Sequence, residues 1–374
     1  MQEIKKRRIA LASLLKPVND TRMFEKLGVS LAREYDVHVI GYEGPLPAGA
    51  SSISAHPLKP FGRISVARVL RVFTVLGIVL RLRPQVLIIC THELLWVSLV
   101  AKAFTGCRVI YDVQENYALN ILHSPTFAPP LRPLIAGLVR TKERLSKLWI
   151  SFYFLAEAGY ENELHFPGTR QVVLENKVRS PHTAVGRPVP KQSERDTIQL
   201  LFSGTLAETT GVFIALDVAS KLHALDHRIR LLIMGYCSHG ATFRKLQASL
   251  ADKPFVTLQG GDRLVPHTTI LEAIQAADFG IVSYPPNPST AHSTPTKLYE
   301  YLAYRLPMLL IDHPEWMSLC DRYRAAVTFD PGNFDAHAIL GALKTGSFYT
   351  VPPYNVYWEE EENKLFKVVG DVLA

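Results

Sequence analysis

The chain has 374 residues, too many for one ordinary domain and enough for two. Its 48% hydrophobic and 20% charged residues are a globular composition and exclude a disordered chain. The formal charge of +7 is uneven: residues 1–180 hold 24 Lys and Arg against 14 Asp and Glu, whereas the remainder holds 17 against 20.

Cys90, Cys107, Cys237 and Cys320 form no Cys-x-x-Cys pair and no His-interleaved cluster, which argues against a metal site or a disulfide framework. A reducing cytoplasm is the expected location. The apolar run Ile9 to Leu15 after the basic cluster Lys5 to Arg8 reads as a first strand rather than a signal segment. The longest apolar candidate for a membrane span, Val72 to Leu80, stops at Arg81.

In chain order, strands are expected at Arg8–Ser13, Val37–Tyr42, Val86–Ile89, Arg108–Asp112, Ile150–Leu155 and Gln171–Leu174. Helices are expected at Thr21–Tyr35, Ser65–Leu82, Leu94–Phe104 and Leu131–Leu145. Around the second of these, Arg63, Arg68, Arg71, Arg81 and Arg83 surround an apolar body that includes Leu70, Phe73 and Leu76. That pattern fits a basic membrane-facing helix and equally a packed helix with a basic wet face. The basic half as a whole suits an anionic lipid surface or a polyprenyl-phosphate acceptor. Nucleic acid is not expected, because no recognition motif or aromatic stripe accompanies the charge.

The Pro-rich stretch from Lys177 to Thr197 is aperiodic and marks a linker, placed at residues 181–196 between domains 1–180 and 197–350. After it, Ile198 to Phe202 is an apolar run leading to Ser203-Gly204-Thr205, followed by a helical pattern from Val212 to Leu225. Strand, glycine turn and helix in that order let a ligand approach the backbone at Gly204 and Thr205. Strands at Arg230–Met234 and Phe255–Leu258, a helix at Pro266–Ala277 and strands at Phe279–Tyr284 and Met308–Ile311 continue the alternation. Strands alternating with helices imply a parallel sheet in each half. A terminal amphipathic helix occupies residues 351–374.

The richest segment runs from Ser293 to Ala303. Thr294 suits a helix N-cap, Pro295 the first helical position, and Thr296 and Lys297 the first turn. A helix start with unpaired amides and a lysine suits a phosphate, and Glu300 could hold vicinal hydroxyls of a ribose. The same residues also describe a capped helix with a solvated Lys and Glu.

The order of these pieces resembles the family-4-type retaining glycosyltransferases of the GT-B fold. The resemblance rests on Phe202-Ser203-Gly204-Thr205, Ile233-Met234-Gly235, Ile274 to Ile281 and Thr296 to Pro307 in the second half. In the first half it rests on Lys16 to Arg22, Tyr111-Asp112-Val113-Gln114-Glu115-Asn116-Tyr117 and Val172 to Asn176. It covers nearly the whole chain. It implies two Rossmann-like doubly wound domains facing a central cleft, with the last helix crossing back to the first domain.

By the same resemblance, the chain would transfer a sugar from a nucleotide-diphosphate sugar to a lipid-linked or saccharide acceptor in surface-glycan synthesis. Gly204, Thr205, Thr294, Thr296, Lys297, Glu300 and His292 would face the donor. Asp20, Arg22, Gln114 and Tyr117 would face the acceptor. Asp112 or Glu115 would take a proton from the acceptor hydroxyl. The nucleobase would lie near Gly235 and Gly260-Gly261. Retaining enzymes of this type need no protein nucleophile, since the leaving phosphate assists. No cofactor or metal is expected, because no Asp-x-Asp cluster is present to bridge a cation to diphosphate.

Four positions depart from the family pattern. His292 stands where many relatives carry a glutamate, Thr205 and Thr210 where many carry basic residues, and Gln114 where a histidine is common. The alternatives are a catalytically weak GT-B partner of another transferase and a sugar-nucleotide epimerase. A nicotinamide dehydrogenase is disfavoured, since no Gly-x-Gly-x-x-Gly follows a predicted strand.

Overall fold

The computed structural model describes residues 6–46, 52–59, 61, 65–123, 127–164, 170–180, 196–288 and 291–374. The expected linker at 181–196 lies, apart from Asp196, outside the described residues, as does Arg63. The described chain divides into two compact units. The first comprises residues 1–176, 291–293 and 358–374; the second comprises 177–290 and 294–357.

The first unit is built on seven strands: β1 (Arg8–Pro17), β2 (Asp36–Tyr42), β3 (Ile53–Leu58), β4 (Val86–Ile89), β5 (Arg108–Val113), β6 (Phe152–Leu155) and β7 (Gln171–Val173). They pair in the order β3-β2-β1-β4-β5-β6-β7, every pair parallel. Central strands such as β4 are buried along their whole length, which is why they read as unbroken apolar runs. One face of the sheet is covered by helices Val66–Leu82, Leu95–Thr105 and Arg132–Ser146.

The other face carries Met23, Phe24, Leu27 and Leu31 together with the last helix, Glu359–Leu373. That helix buries Leu365, Val368 and Val369 in the same core. Trp358 donates its indole N–H to Ser30 (2.9 Å), and Ser30 donates to the Glu362 carboxylate (2.7 Å), which also accepts from Arg33 (2.7 Å). The expected crossing of the last helix back to the first domain is therefore what the fold contains.

Two expectations for this unit need correction. The helix expected over Thr21–Tyr35 is a π-type segment, Thr21–Gly28, followed by one short α turn, Val29–Leu31. Arg68 is only partly exposed, its guanidinium paired with Glu93 rather than free in solvent. The face left outward carries Val66, Val69, Leu70 and Phe73.

The second unit has six strands: β8 (Ile198–Thr205), β9 (Ile229–Tyr236), β10 (Val256–Gly261), β11 (Phe279–Val282), β12 (Met308–Ile311) and β13 (Ala326–Phe329). Their order is β10-β9-β8-β11-β12-β13, again all parallel. The helices Val212–Leu225, Gly240–Leu250, His267–Ala276 and Thr296–Ala303 alternate with them. Both units are thus doubly wound α/β layers, as the alternation of elements implies. Among the described residues, no helix is long and apolar enough to cross a membrane.

Candidate functional site

In the second unit the strand order reverses between β8 and β11, the point at which such sheets receive ligands outside their carboxyl ends. β8 reaches this edge at Gly204, which is in register with Gly235 of β9; Gly235 is in register with Gly260 of β10. A Cβ on Gly235 would lie 1.6 Å from the Gly204 carbonyl oxygen, and one on Gly260 would lie 2.3 Å from that of Gly235. Three neighbouring strand ends therefore form a bare backbone shelf. On the other side of the switch point, Gly211 (φ +79°) opens the Val212 helix, and a Cβ there would lie 1.7 Å from the Ser283 carbonyl. Ser283 in turn donates its hydroxyl to the Gly211 carbonyl (2.9 Å).

Lys297 extends into this place from the first turn of the Thr296 helix. Its ammonium lies 4.1 Å from the centroid of the Phe202 ring on β8 and 5.0 Å from that of Tyr284, just past β11. A Cβ on Gly204 would sit 3.8 Å from it. The ammonium is buried and has no hydrogen-bond partner among the described residues. Burial pushes its pKa down to about 7, with the Glu300 carboxylate acting in the opposite sense. Ring faces attract a cation but do not replace the hydrogen bonds it had in water.

Glu300 lies on the next turn, nearly buried, and its Oε1 is 2.9 Å from Nε2 of His267. His267 opens the preceding helix and carries no local motif that would single it out; only the fold brings residues 33 apart together. Tyr301 is held by Ser203 (3.0 Å), and Gly280 leaves room for its ring. One local expectation changes. Pro295, not Thr294, takes the N-cap position (φ −57°, ψ 134°), and no side chain caps the helix. Thr294 precedes a proline, which disfavours helical backbone there, and the helix starts at Thr296.

The turn after β8 is closed by its own threonine. The Thr210 hydroxyl donates to the Thr205 carbonyl (2.6 Å) and accepts from the Ala207 amide (3.1 Å). Thr205 itself is exposed. A basic side chain does reach this turn from elsewhere, as Lys245 pairs with Glu208 (2.6 Å). His292 belongs with the first unit, where a Cβ on Gly159 would lie 2.5 Å from its own Cβ.

In the first unit the expected acceptor-side residues form a buried polar knot. Arg22 donates from Nε and Nη2 to Asp112 (2.7–3.1 Å), and Gln114 donates to the same carboxylate (2.8 Å). Nη1 of Arg22 bonds the Leu174 carbonyl (2.8 Å) and the Asn176 side chain (3.0 Å). Asp20 caps the π-type segment by accepting from the Arg22 and Met23 amides. Tyr117 is buried and donates to the Cys90 carbonyl (3.2 Å). Glu115 differs: it is half exposed, 3.8 Å from the Lys16 ammonium, and accepts from Asn120 (2.9 Å).

No protein-family model matches the chain, and no curated relative matches it in sequence. Solved structures do match it over its length. The HepE protein of Anabaena, solved with UDP and glucose, superposes with a TM-score of 0.64 at 12% identity, covering 98% of this chain and 100% of that one. Sucrose-phosphate synthase from Thermosynechococcus elongatus gives 0.69 at 13%, covering 98% and 99%. A UDP-forming α,α-trehalose-phosphate synthase from Burkholderia vietnamiensis gives 0.61 at 10%, covering 100% and 98%. The chain has the GT-B fold. At the switch point of its second doubly wound unit stands Gly204, with the Lys297 ammonium beside it.

Proposed function

We propose that the protein is a nucleotide-sugar-dependent glycosyltransferase of the retaining type, and that the second unit binds the donor. The observation that carries this reading is the buried Lys297 ammonium, which has no hydrogen-bond partner among the described residues and stands beside the bare backbone of Gly204. A diphosphate would give that ammonium its counter-charge, and the first-turn amides of the Thr296 helix would add donors to the same oxygens. Glu300, steadied by His267, would accept the ribose hydroxyls. GT-B neighbours crystallised with UDP and glucose, and with UDP-glucose, support the same ligand class.

In the reaction the bond from the anomeric carbon to the diphosphate breaks, and an acceptor oxygen forms the new bond on the same face. Charge builds on the leaving diphosphate, where Lys297 and the helix amides stabilise it. The acceptor proton passes to the departing phosphate. Asp112, enclosed by Arg22 and Gln114, is a positioning residue, and Glu115 is the carboxylate left to assist at the acceptor. The acceptor is a lipid-linked or saccharide hydroxyl of a surface glycan.

The test is a thermal-shift screen against UDP, GDP, ADP, dTDP and CMP sugars, since any ligand of the native state raises the midpoint by mass action. Turnover of the donor that binds, with the anomeric configuration followed by proton NMR, then tests retention. Failure of every donor to bind would overturn the reading. Binding without turnover on any acceptor would assign the chain to a partner role, and conversion of free sugar nucleotide alone would assign it to epimerisation.

A further inference from the structure

The helices Val66–Leu82, Leu95–Thr105 and Arg132–Ser146 stand side by side over one face of the first unit's sheet. The first of them is apolar nearly all round, so its rotation decides what solvent meets. Val75 and Val79 are buried, and the one arginine of its first turn, Arg68, is paired with Glu93. What remains outward is Val66, Val69, Leu70 and Phe73, spaced i, i+3, i+4, i+7 on one face and 58–77% exposed. On the Arg132 helix, Leu134 and Leu138 are each 63% exposed, and Trp96 on the helix between is 51% exposed.

The charge of this surface is as one-sided as its apolarity. Across all three helices the sole carboxylate is Glu143, which is buried against Tyr111 and Arg140. Residues 65–148 hold eleven Lys and Arg against four Asp and Glu, and three of those acids, Glu93, Asp112 and Glu143, are paired inside. Arg81 and Arg144 stay exposed on the helices themselves. An apolar stripe among cations, with no outward carboxylate, matches the interface of an anionic bilayer. A second copy of the chain would bring two such cationic faces together, which opposes self-pairing.

We propose that this three-helix surface docks on an anionic lipid bilayer, with Val69, Leu70, Phe73, Trp96, Leu134 and Leu138 entering the acyl boundary and the arginines meeting the headgroups. Exposed apolar side chains run along the helices, from Val66, Trp96 and Leu134 near their starts to Phe104 and Leu145 near their ends. Docking is independent of the transfer reaction and is tested without it.

The full-length protein is sedimented with phosphatidylcholine vesicles, with and without phosphatidylglycerol. Trp149, Trp316 and Trp358 are buried, so a blue shift of tryptophan emission on anionic vesicles reports Trp96 and vanishes in Trp96→Phe. The double variants Leu70→Glu/Phe73→Glu and Leu134→Glu/Leu138→Glu each lower vesicle partitioning about tenfold or more, with the thermal midpoint unchanged because these side chains are exposed. Partitioning unaltered in both variants, or absent in the parent, overturns the proposal. So does a concentration-dependent dimer that the Leu70→Glu/Phe73→Glu change dissolves, which would give the surface to a second copy.

Discussion

The Lys297 ammonium rests 4.1 Å above the Phe202 ring without a hydrogen-bond partner among the described residues. A cation so placed is destabilising until an anion arrives. Lys297→Met is therefore expected to stabilise the ligand-free protein and weaken donor diphosphate binding by about 2–3 kcal/mol, the loss of a charge-assisted contact. Denaturant melts and calorimetric titration check the two halves. A folded variant with parental affinity for the diphosphate would remove Lys297 from the site.

The stability effect has a defined pH window. The lysine binds its proton with a pKa of about 7 when folded and 10.5 when unfolded, so between these values the unfolded chain holds more protons and stability rises with pH. The penalty is greatest below pH ~7 and gone by pH ~10.5. The advantage of Lys297→Met over the parent should shrink across that range. A constant difference from pH 7 to pH 10 would contradict the buried-ammonium account.

Donor binding should take up a proton. At pH 8 a lysine with pKa about 7 is mostly neutral, and a diphosphate contact that restores its charge requires net proton uptake. Titrations in buffers of different ionisation heat measure this directly. Affinity then falls as pH rises above 7, and Lys297→Met abolishes the uptake.

Asp112 and Glu115 are three residues apart and should answer differently. Asp112→Asn leaves the Arg22 guanidinium buried without its charge partner and should cost about 3–5 kcal/mol of stability. Glu115→Gln, at a half-exposed carboxylate, should stay within about 0.5 kcal/mol and show its effect in turnover. Parental stability in Asp112→Asn would refute the positioning role.

Charge on the leaving group is met by an ammonium and a helix start in this reading, so turnover should persist in excess EDTA. Loss of activity that Mn²⁺ or Mg²⁺ restores would show that a cation shares the work.

Much of the architecture was legible because buried central strands must be apolar throughout, as Val86–Ile89 and Met308–Ile311 are. The two strands that pattern missed, Ile53–Leu58 and Ala326–Phe329, are sheet edges, where half-exposed positions break the run. Lys297 could be read from its place at a helix start, a local signal. His267 and the Arg22–Asp112 pair could not, because the second joins residues 90 apart and only the folded sheet sets them face to face.

The return of the last helix to the first unit has a consequence for synthesis. Ser30 waits 332 residues for Glu362, so the hydrophobic layer around Leu27 and Leu31 stays uncovered while the whole second unit is being made. The second unit is nearly continuous in sequence and can close early; the first, though begun earlier, is finished last. A nascent chain halted before Trp358 would carry a sticky, unsealed amino-terminal half, the stage at which chaperone protection matters most.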